Sequence, residues 1–145
     1  MVLNWDKTEI IKYLGTYFPR SFAESYCVFT KYFGEHIDIF VKETSLNIFD
    51  FGCGTGGELF GLLFAIIENL SVSTINIKAL DGNFNALRLL EDILERFKSN
   101  YHREIHLNIM PLIIDDIYDM SVIEPHIPTN NHIILIFRDT QLIAN

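Results

Sequence analysis

"IFDFGCGTGGELFGLL", residues 48–63, runs a short apolar segment into a burst of glycines and then into a long apolar stretch. The order predicts a β-strand, a tight turn and a helix. Glycine reaches backbone angles closed to other residues and has no side chain to hold a ligand away, so several at such a turn imply close approach of something to the backbone. The turn also precedes a helix N-terminus, where unpaired N–H groups and the positive end of the helix dipole favour an anionic group. The glycines fit two patterns at once. Gly52, Gly54 and Gly57 satisfy GxGxxG, the dinucleotide fingerprint, whereas Gly52, Gly54 and Gly56 satisfy GxGxG.

Outward from this stretch, the apolar pattern predicts four strands: "LNIFDF" from Leu46, "TINIKALD" ending on Asp81, "EIHLNIMPLIID" ending on Asp115, and "HIILIF" ending on Phe137. Two helix patterns separate the first three. One covers Glu58 to Asn69; the other, "NFNALRLLEDILERFKSN", sets Leu87, Leu90, Leu94 and Phe97 on one face against charged residues on the other. Strands alternating with helices predict an α/β domain with a mostly parallel sheet. Between Tyr118 and Asn131, Pro125 and Pro128 interrupt the pattern, which leaves a short helix and a loop equally open.

The first forty-odd residues are predicted to be helical. Ser21 lies three residues before Glu24, a capping box that predicts a helix start at Ser21. Phe22, Tyr26, Phe29, Phe33, Ile37 and Phe40 then recur at spacings of three and four, an aromatic stripe suited to core packing on a helix ending near Lys42. A shorter helix is predicted from Asp6 to Leu14, with Pro19 in the turn between the two. The helix after the glycines is apolar nearly all round: Leu59, Leu62, Leu63, Ile66, Ile67 and Leu70 can face the sheet while Phe60 and Phe64 fall on the other side. Something must cover Phe60 and Phe64. The N-terminal aromatic helix is the economical candidate, and a partner chain is the alternative.

Length and composition bound the function. The chain has 145 residues, which suits one domain, with an N-terminal helical segment (1–44) and an α/β core (45–145). A net charge of −8 disfavours non-specific attraction to nucleic acid. Arg88, Arg96, Lys98 and Arg103 are interleaved with Glu91, Asp92 and Glu95, the pattern of a solvated face. Cys27 and Cys53 are lone thiols, which supports neither a disulfide framework nor a zinc site and fits a reducing compartment, the cytoplasm by default. Cys53 suits a small filler better than a nucleophile. His102 and His106 straddle a helix-to-strand junction and do not make a metal site. The start "MVLNWDKTEI" lacks a basic segment followed by an apolar run, and the most apolar window, Leu59 to Ile67, is shorter than the roughly 20 residues that span a bilayer, so neither a signal nor a membrane helix is expected.

"IFDFGCGTG" resembles the first motif of the class I, Rossmann-like, S-adenosylmethionine-dependent methyltransferases: a hydrophobic strand, an acidic residue two positions before the first glycine, here Asp50, then GxGxG. "IKALDGNFNAL" is similar to that family's second strand, which ends in an acidic residue on the ribose hydroxyls; Asp81, followed by Gly82, takes that position. "PLIIDD" is similar to the third strand, where Asp115 or Asp116 would lie near the adenine. The resemblance extends over roughly residues 20–140 and implies strand order 3-2-1-4, S-adenosylmethionine as cofactor, and binding through Asp50, Gly52, Cys53, Gly54, Gly56, Asp81, Gly82, Asp115 and Asp116. It implies transfer of a methyl group to an acceptor that the sequence leaves unidentified. S-adenosylmethionine has no pyrophosphate, and its methionine end carries a carboxylate, an ammonium and a positive sulfonium, so an acidic pocket suits it better than it suits a dinucleotide, with Asp50 a partner, direct or through water, for the ammonium end.

Other readings stand beside this one. Asp50 can serve as a strand-end residue bonding backbone N–H groups, and Asp81 as a helix cap. The family's full sheet has seven strands in the order 3-2-1-4-5-7-6, of which this chain supplies four. Strand four is therefore an exposed edge, which implies either a truncated piece or pairing with another chain, including a second copy of this one. After it, "FRDTQ" holds Phe137, Arg138 and Asp139 with no Asn-Pro-Pro-Tyr signature, and no catalytic residue is assigned. The alternatives to a methyltransferase are a catalytically silent binding or scaffold module of the same fold and a nicotinamide-dependent oxidoreductase.

Overall fold

A computed structural model of the protein describes residues 18–53, 56–111 and 132–136. In chain order these form α1 (Phe18–Glu35), α2 (Ile37–Phe40), β1 (Ser45–Phe51), α3 (Gly57–Asn69), β2 (Thr74–Asp81), α4 (Phe84–Lys98), β3 (Glu104–Pro111) and β4 (His132–Ile136). The four strands make one sheet in the order β3-β2-β1-β4, and every pairing is parallel. For β1 with β2 and β2 with β3 this follows from the connections, because a helix between consecutive strands carries the chain back to the end of the sheet where the first strand began and so makes the two neighbours parallel. The fold is Rossmann-like α/β, as the alternating pattern and the family resemblance imply.

Register decides which side chains share a face. β1 pairs with β2 from Ser45↔Thr74 to Phe51↔Leu80, and β2 with β3 from Thr74↔Glu104 to Asp81↔Pro111. Side chains alternate along a strand, so Leu46, Ile48 and Asp50 of β1 stand on the same face as Ile75, Ile77, Ala79 and Asp81 of β2. The apolar members of these columns are buried against Leu59, Leu62, Leu63 and Ile66 of α3 and Leu87, Leu90 and Leu94 of α4. On the other face Phe49 and Leu80 are buried with Phe51 and Met110 packed on them. β1 is thus apolar on both faces, as suits a central parallel strand.

α1 covers α3, and the covering is close. A β-carbon on Gly57 would stand 3.0 Å from both the Phe18 carbonyl oxygen and Ser21 Cβ; one on Gly61 would stand 2.5 Å from the Phe22 carbonyl oxygen and 2.9 Å from the Tyr26 nitrogen. Two small-residue pairs one turn apart, Gly57 with Gly61 and Ser21 with Ser25, therefore let the two backbones approach. Ser25 is buried and its hydroxyl donates to the Glu58 carbonyl at 2.7 Å; Tyr26 donates to the Glu68 carboxylate farther along. Phe60 and Phe64 are covered as expected from within the chain. Phe18 lies 5.9 Å from Phe60 and Phe22 lies 5.3 Å from Phe64, centroid to centroid, and Phe97 of α4 meets both rings at 5.6 and 5.2 Å.

Three local expectations are corrected. The described part of α1 opens at Phe18, so Ser21, Glu24 and Pro19 all lie inside the helix. Phe18 extends the aromatic stripe one turn ahead of Phe22, and Glu24 pairs along the helix with Arg20 at 2.9 Å instead of reaching back to a cap. The helix also stops at Glu35, not near Lys42; His36, at φ −124° and ψ 29°, breaks it before α2. The break turns Phe40 onto buried Phe33, edge to face at 5.1 Å, and leaves Ile37 exposed. Arg103, placed by its sequence neighbours on a solvated face, is half-buried. Its guanidinium donates to the carbonyls of Ile67 (3.2 Å), Leu70 (3.0 Å) and Val72, which collects the carbonyl end of α3 where a cation is favoured. The predicted helix from Asp6 to Leu14 and the interrupted stretch from Tyr118 to Asn131 lie outside the described residues. Among those described, no helix is long and apolar enough to cross a membrane.

Candidate functional site

β1 is flanked by β2 on one side and β4 on the other, so the sheet reverses its strand order beside β1. In open α/β sheets ligands bind in the crevice beyond the carboxyl ends of the strands at such a reversal. The glycine turn occupies that end of β1. Gly52 has φ 73°, a left-handed conformation that side chains disfavour, and its N–H donates to the Leu80 carbonyl at 2.7 Å, with the Cys53 N–H sharing that oxygen at 3.2 Å. The end of β1 is thereby tied to the end of β2. Gly56, at φ 92°, is the N-cap of α3 and offers its first turn no side-chain acceptor.

The glycines divide by what approaches them. A β-carbon on Gly56 would stand 2.3 Å from Leu90 Cδ1 and 3.2 Å from Phe60, and one on Gly57 would press on α1. At Gly57 packing of the protein on itself accounts for the missing side chain, and at Gly56 the left-handed backbone does, which narrows the expectation that the whole turn is bare for a ligand. Gly54 lies outside the described residues, as do Asp115 and Asp116. Cys53 is buried in the core cluster. Burial first, then the carboxylates of Asp50 and Asp81, push its thiol well above the usual range, so it is no ready nucleophile.

The carboxylates are brought together. Asp50 and Asp81 end the inward-facing columns of adjacent strands, at the positions where the apolar run Leu46–Ile48 and the run Ile75–Ile77–Ala79 would next place a core residue. Asp50 is 1% exposed, and neither carboxyl oxygen has a hydrogen-bond partner. Its carboxyl is held well above the ordinary range, chiefly by burial and then by the charges of Glu58 and Asp81. Asp81, 5% exposed, accepts from the Asn83 N–H at 2.8 Å through Oδ1. Asn83, not Asp81, caps α4: its side-chain oxygen accepts from the Ala86 N–H at 3.1 Å. The alternative in which Asp50 bonds strand-end N–H groups is likewise not what is seen.

Two further residues belong here that sequence reasoning did not single out. Glu58, in the first turn of α3, is half-buried, and burial followed by the charge of Glu24 raises its carboxyl. Its signal was an acid immediately after the glycines. Phe84 opens α4 just beyond Asp81 and half-buried Gly82, stands 47% exposed, and has the Arg88 guanidinium 5.7 Å from its ring centroid.

This arrangement selects by charge. A pyrophosphate at the α3 N-terminus would meet the negative charges of Glu58 and Asp81, which opposes the dinucleotide reading of the glycines. A cationic group would meet the reverse, and Asp81, anchored on the Asn83 N–H, is a carboxylate acceptor.

No protein-family model and no curated protein matches the chain. Among solved structures, a candidate S-adenosyl-L-methionine-dependent methyltransferase from Methanococcus maripaludis is similar at 19% identity with a TM-score of 0.40, over 74% of this chain and 45% of that one. This chain spans less than half the length of that protein.

Proposed function

We propose that the protein binds S-adenosylmethionine at the carboxyl end of β1 and serves methyl transfer to an acceptor. The single observation that carries the reading is Asp50, a buried carboxyl with both oxygens unpartnered, at the strand end beside the glycine turn. Packing alone would put Leu or Ile there, because an unpaired buried polar group costs about 1–3 kcal/mol even when neutral. A ligand ammonium repays that cost. The residues present fit this cofactor: Asp50, with Glu58 nearby, suits its cationic amino-acid end, the backbone of Gly52 and Cys53 lies between, and Asp81 suits the ribose hydroxyls. Phe84 offers an aromatic surface just beyond Asp81 for the nucleobase. The expected contributions of Gly54, Gly56, Gly82, Asp115 and Asp116 come from the family resemblance.

When bound, the cofactor supplies a methyl group activated by a sulfonium sulfur. The chain's own part is to bind and orient it, since methyl displacement depends chiefly on alignment of the attacking atom. Calorimetric titration of the 145-residue chain with S-adenosylhomocysteine, with NADH as control, tests the reading. Saturable S-adenosylhomocysteine binding that is weakened at least tenfold in Asp81→Ala is expected, two hydrogen bonds to a charged acceptor being worth about 1.5–3 kcal/mol each. Binding of NADH alone, or of neither ligand by a folded chain, would overturn it.

A further inference from the structure

Among the described residues, the charges that act on Asp50 are negative. From α3 it faces Glu58 and from β2 it faces Asp81; those two carboxylates are the charged groups that act on it. The thiol of Cys53 in the glycine turn feels Asp50 in return, and Glu24 of α1 acts on Glu58 from outside. Neither Asp50 oxygen accepts a hydrogen bond from any backbone or side-chain donor. Among the described residues a carboxylate so buried has neither a donor nor a cation to hold its charge, and ionisation would add a third negative group to two existing ones.

We propose that the unliganded protein keeps Asp50 as a neutral carboxylic acid and surrenders that proton to solvent when the ammonium group of a ligand arrives, so that ligand binding is a proton-exchange step. The inference rests on the cofactor reading above and adds to it the protonation state in which the site waits. The balance is simple. Before binding, the O–H bond of Asp50 is intact and the pocket carries the charges of Glu58 and Asp81; on binding, that bond breaks, the proton passes to buffer, and the resulting carboxylate pairs with the incoming ammonium. Between Asp50 and the ammonium the charge is therefore balanced before and after, with no unpaired buried anion in the free protein and no unpaired buried cation in the complex; the ligand's own carboxylate enters with its charge unchanged and takes no part in the exchange.

The ligand half without the ammonium has no such effect. A nucleoside that reaches Asp81 but not Asp50 leaves the acid protonated. Affinity for the ammonium-bearing ligand rises by up to about tenfold per pH unit while Asp50 is protonated in the free protein, and levels off above that range.

Two ligands separate this inference from the reading on which it rests. S-adenosylhomocysteine carries the amino-acid end; 5′-methylthioadenosine carries the nucleoside without it. Each is titrated calorimetrically into the full chain in two buffers of different ionisation enthalpy, below about pH 7 where a ligand α-amino group stays protonated. The difference in apparent heat between buffers counts the protons exchanged. Release of about one proton per S-adenosylhomocysteine and none per 5′-methylthioadenosine is expected. In Asp50→Asn, an isosteric change, the release vanishes and the pH dependence of S-adenosylhomocysteine affinity flattens. Tight S-adenosylhomocysteine binding without proton release, or release that persists in Asp50→Asn, overturns the inference and leaves the cofactor reading standing. Binding of 5′-methylthioadenosine alone overturns the inference and the ammonium role of Asp50, while failure of both ligands overturns the cofactor reading as well.

Discussion

Replacing Gly61 by alanine adds one methyl group to the crossing of α1 and α3, and the structure gives that methyl no room. It would lie 2.5 Å from the Phe22 carbonyl oxygen, 2.8 Å from Ser25 Cβ and 2.9 Å from the Tyr26 nitrogen. Non-bonded carbon atoms sit comfortably at about 3.5–4.0 Å, so the helices must part by about 1 Å. Two of the three obstructing atoms are backbone, and no rotamer change removes them. Overpacking of this kind costs about 1–3 kcal/mol. Parting also stretches the Ser25 hydroxyl from the Glu58 carbonyl, a bond of 2.7 Å worth about 1 kcal/mol. Against these stands a gain of about 1 kcal/mol from alanine over glycine in a helix interior. The net is a loss of about 2 kcal/mol, or a fall in Tm of about 4–8 °C for a chain of this size. Gly34→Ala in α1 is the matched control. Nothing lies within 4 Å of its added β-carbon and its φ is not left-handed, so only the helix gain applies, about 0.5–1 kcal/mol of stabilisation. Urea unfolding followed by far-ultraviolet circular dichroism measures both. Opposite signs are expected; a Gly61→Ala protein as stable as wild type would refute the close approach of α1 to α3.

Other consequences follow for the same chain. Stability of the unliganded protein is expected to fall as pH rises from about 4 through the raised carboxyl range of Asp50, because the native state holds a proton that the unfolded chain releases; the stabilisation is fully present below the unfolded carboxyl value. Asp50→Asn should flatten that slope in chemical denaturation at several pH values, and an unchanged slope would assign it elsewhere. Arg103→Ala removes the donor shared by the carbonyls of Ile67 and Leu70 at the end of α3 and of Val72 just beyond it and should cost about 2 kcal/mol in urea unfolding, with Arg103→Lys recovering only part; no loss would show those carbonyls to be satisfied by water. Exposed Cys27 should react promptly with a chromogenic disulfide reagent while buried Cys53 reacts only on unfolding, and two rapid thiols in the native protein would contradict the burial of the glycine turn.

The sheet was legible because each strand pattern carries its period in the residues themselves: the alternation in "TINIKALD" places Asp81 on the same face as Ile75 and Ile77 without reference to any other segment. The same alternation puts Asp50 beneath the helices with Leu46 and Ile48. What the sequence did not carry was the company these carboxyls keep, since the isolation of Asp50 depends on α3 and β2 arriving together. The glycine turn shows the same division. Its left-handed backbone at Gly52 was foreseeable, but the neighbour that explains Gly57 is Phe18, from a segment far along the chain. Local signals misled where tertiary contacts outweighed them. Ser21 and Glu24 form a capping pattern, yet Phe18 finds Phe60 and the helix runs on through Ser21; Ile37 fits the stripe, yet Phe40 gains more by turning back onto Phe33. Arg103 looked like one charge among several because nothing in its surroundings marks the carbonyls that it meets.

The central position of β1 sets an order in which the protein can assemble. Its pairing with β2 joins residues 45 and 74, and that of β2 with β3 joins residues 74 and 104, each closed by one intervening helix; its pairing with β4 joins residues 47 and 132. Closing a longer loop costs more chain entropy, and synthesis delivers the near partners first. During translation, therefore, β3, β2 and β1 can already be joined and α3 and α4 seated while the remaining edge of β1 still awaits residues 132–136. For that interval the central strand of the sheet has a free row of backbone donors and acceptors beside the glycine turn, a place where a chaperone or a misplaced strand competes with β4. Among the described strands, the reversal beside β1, where the ligand site is proposed, is consequently the last part of the sheet to be completed.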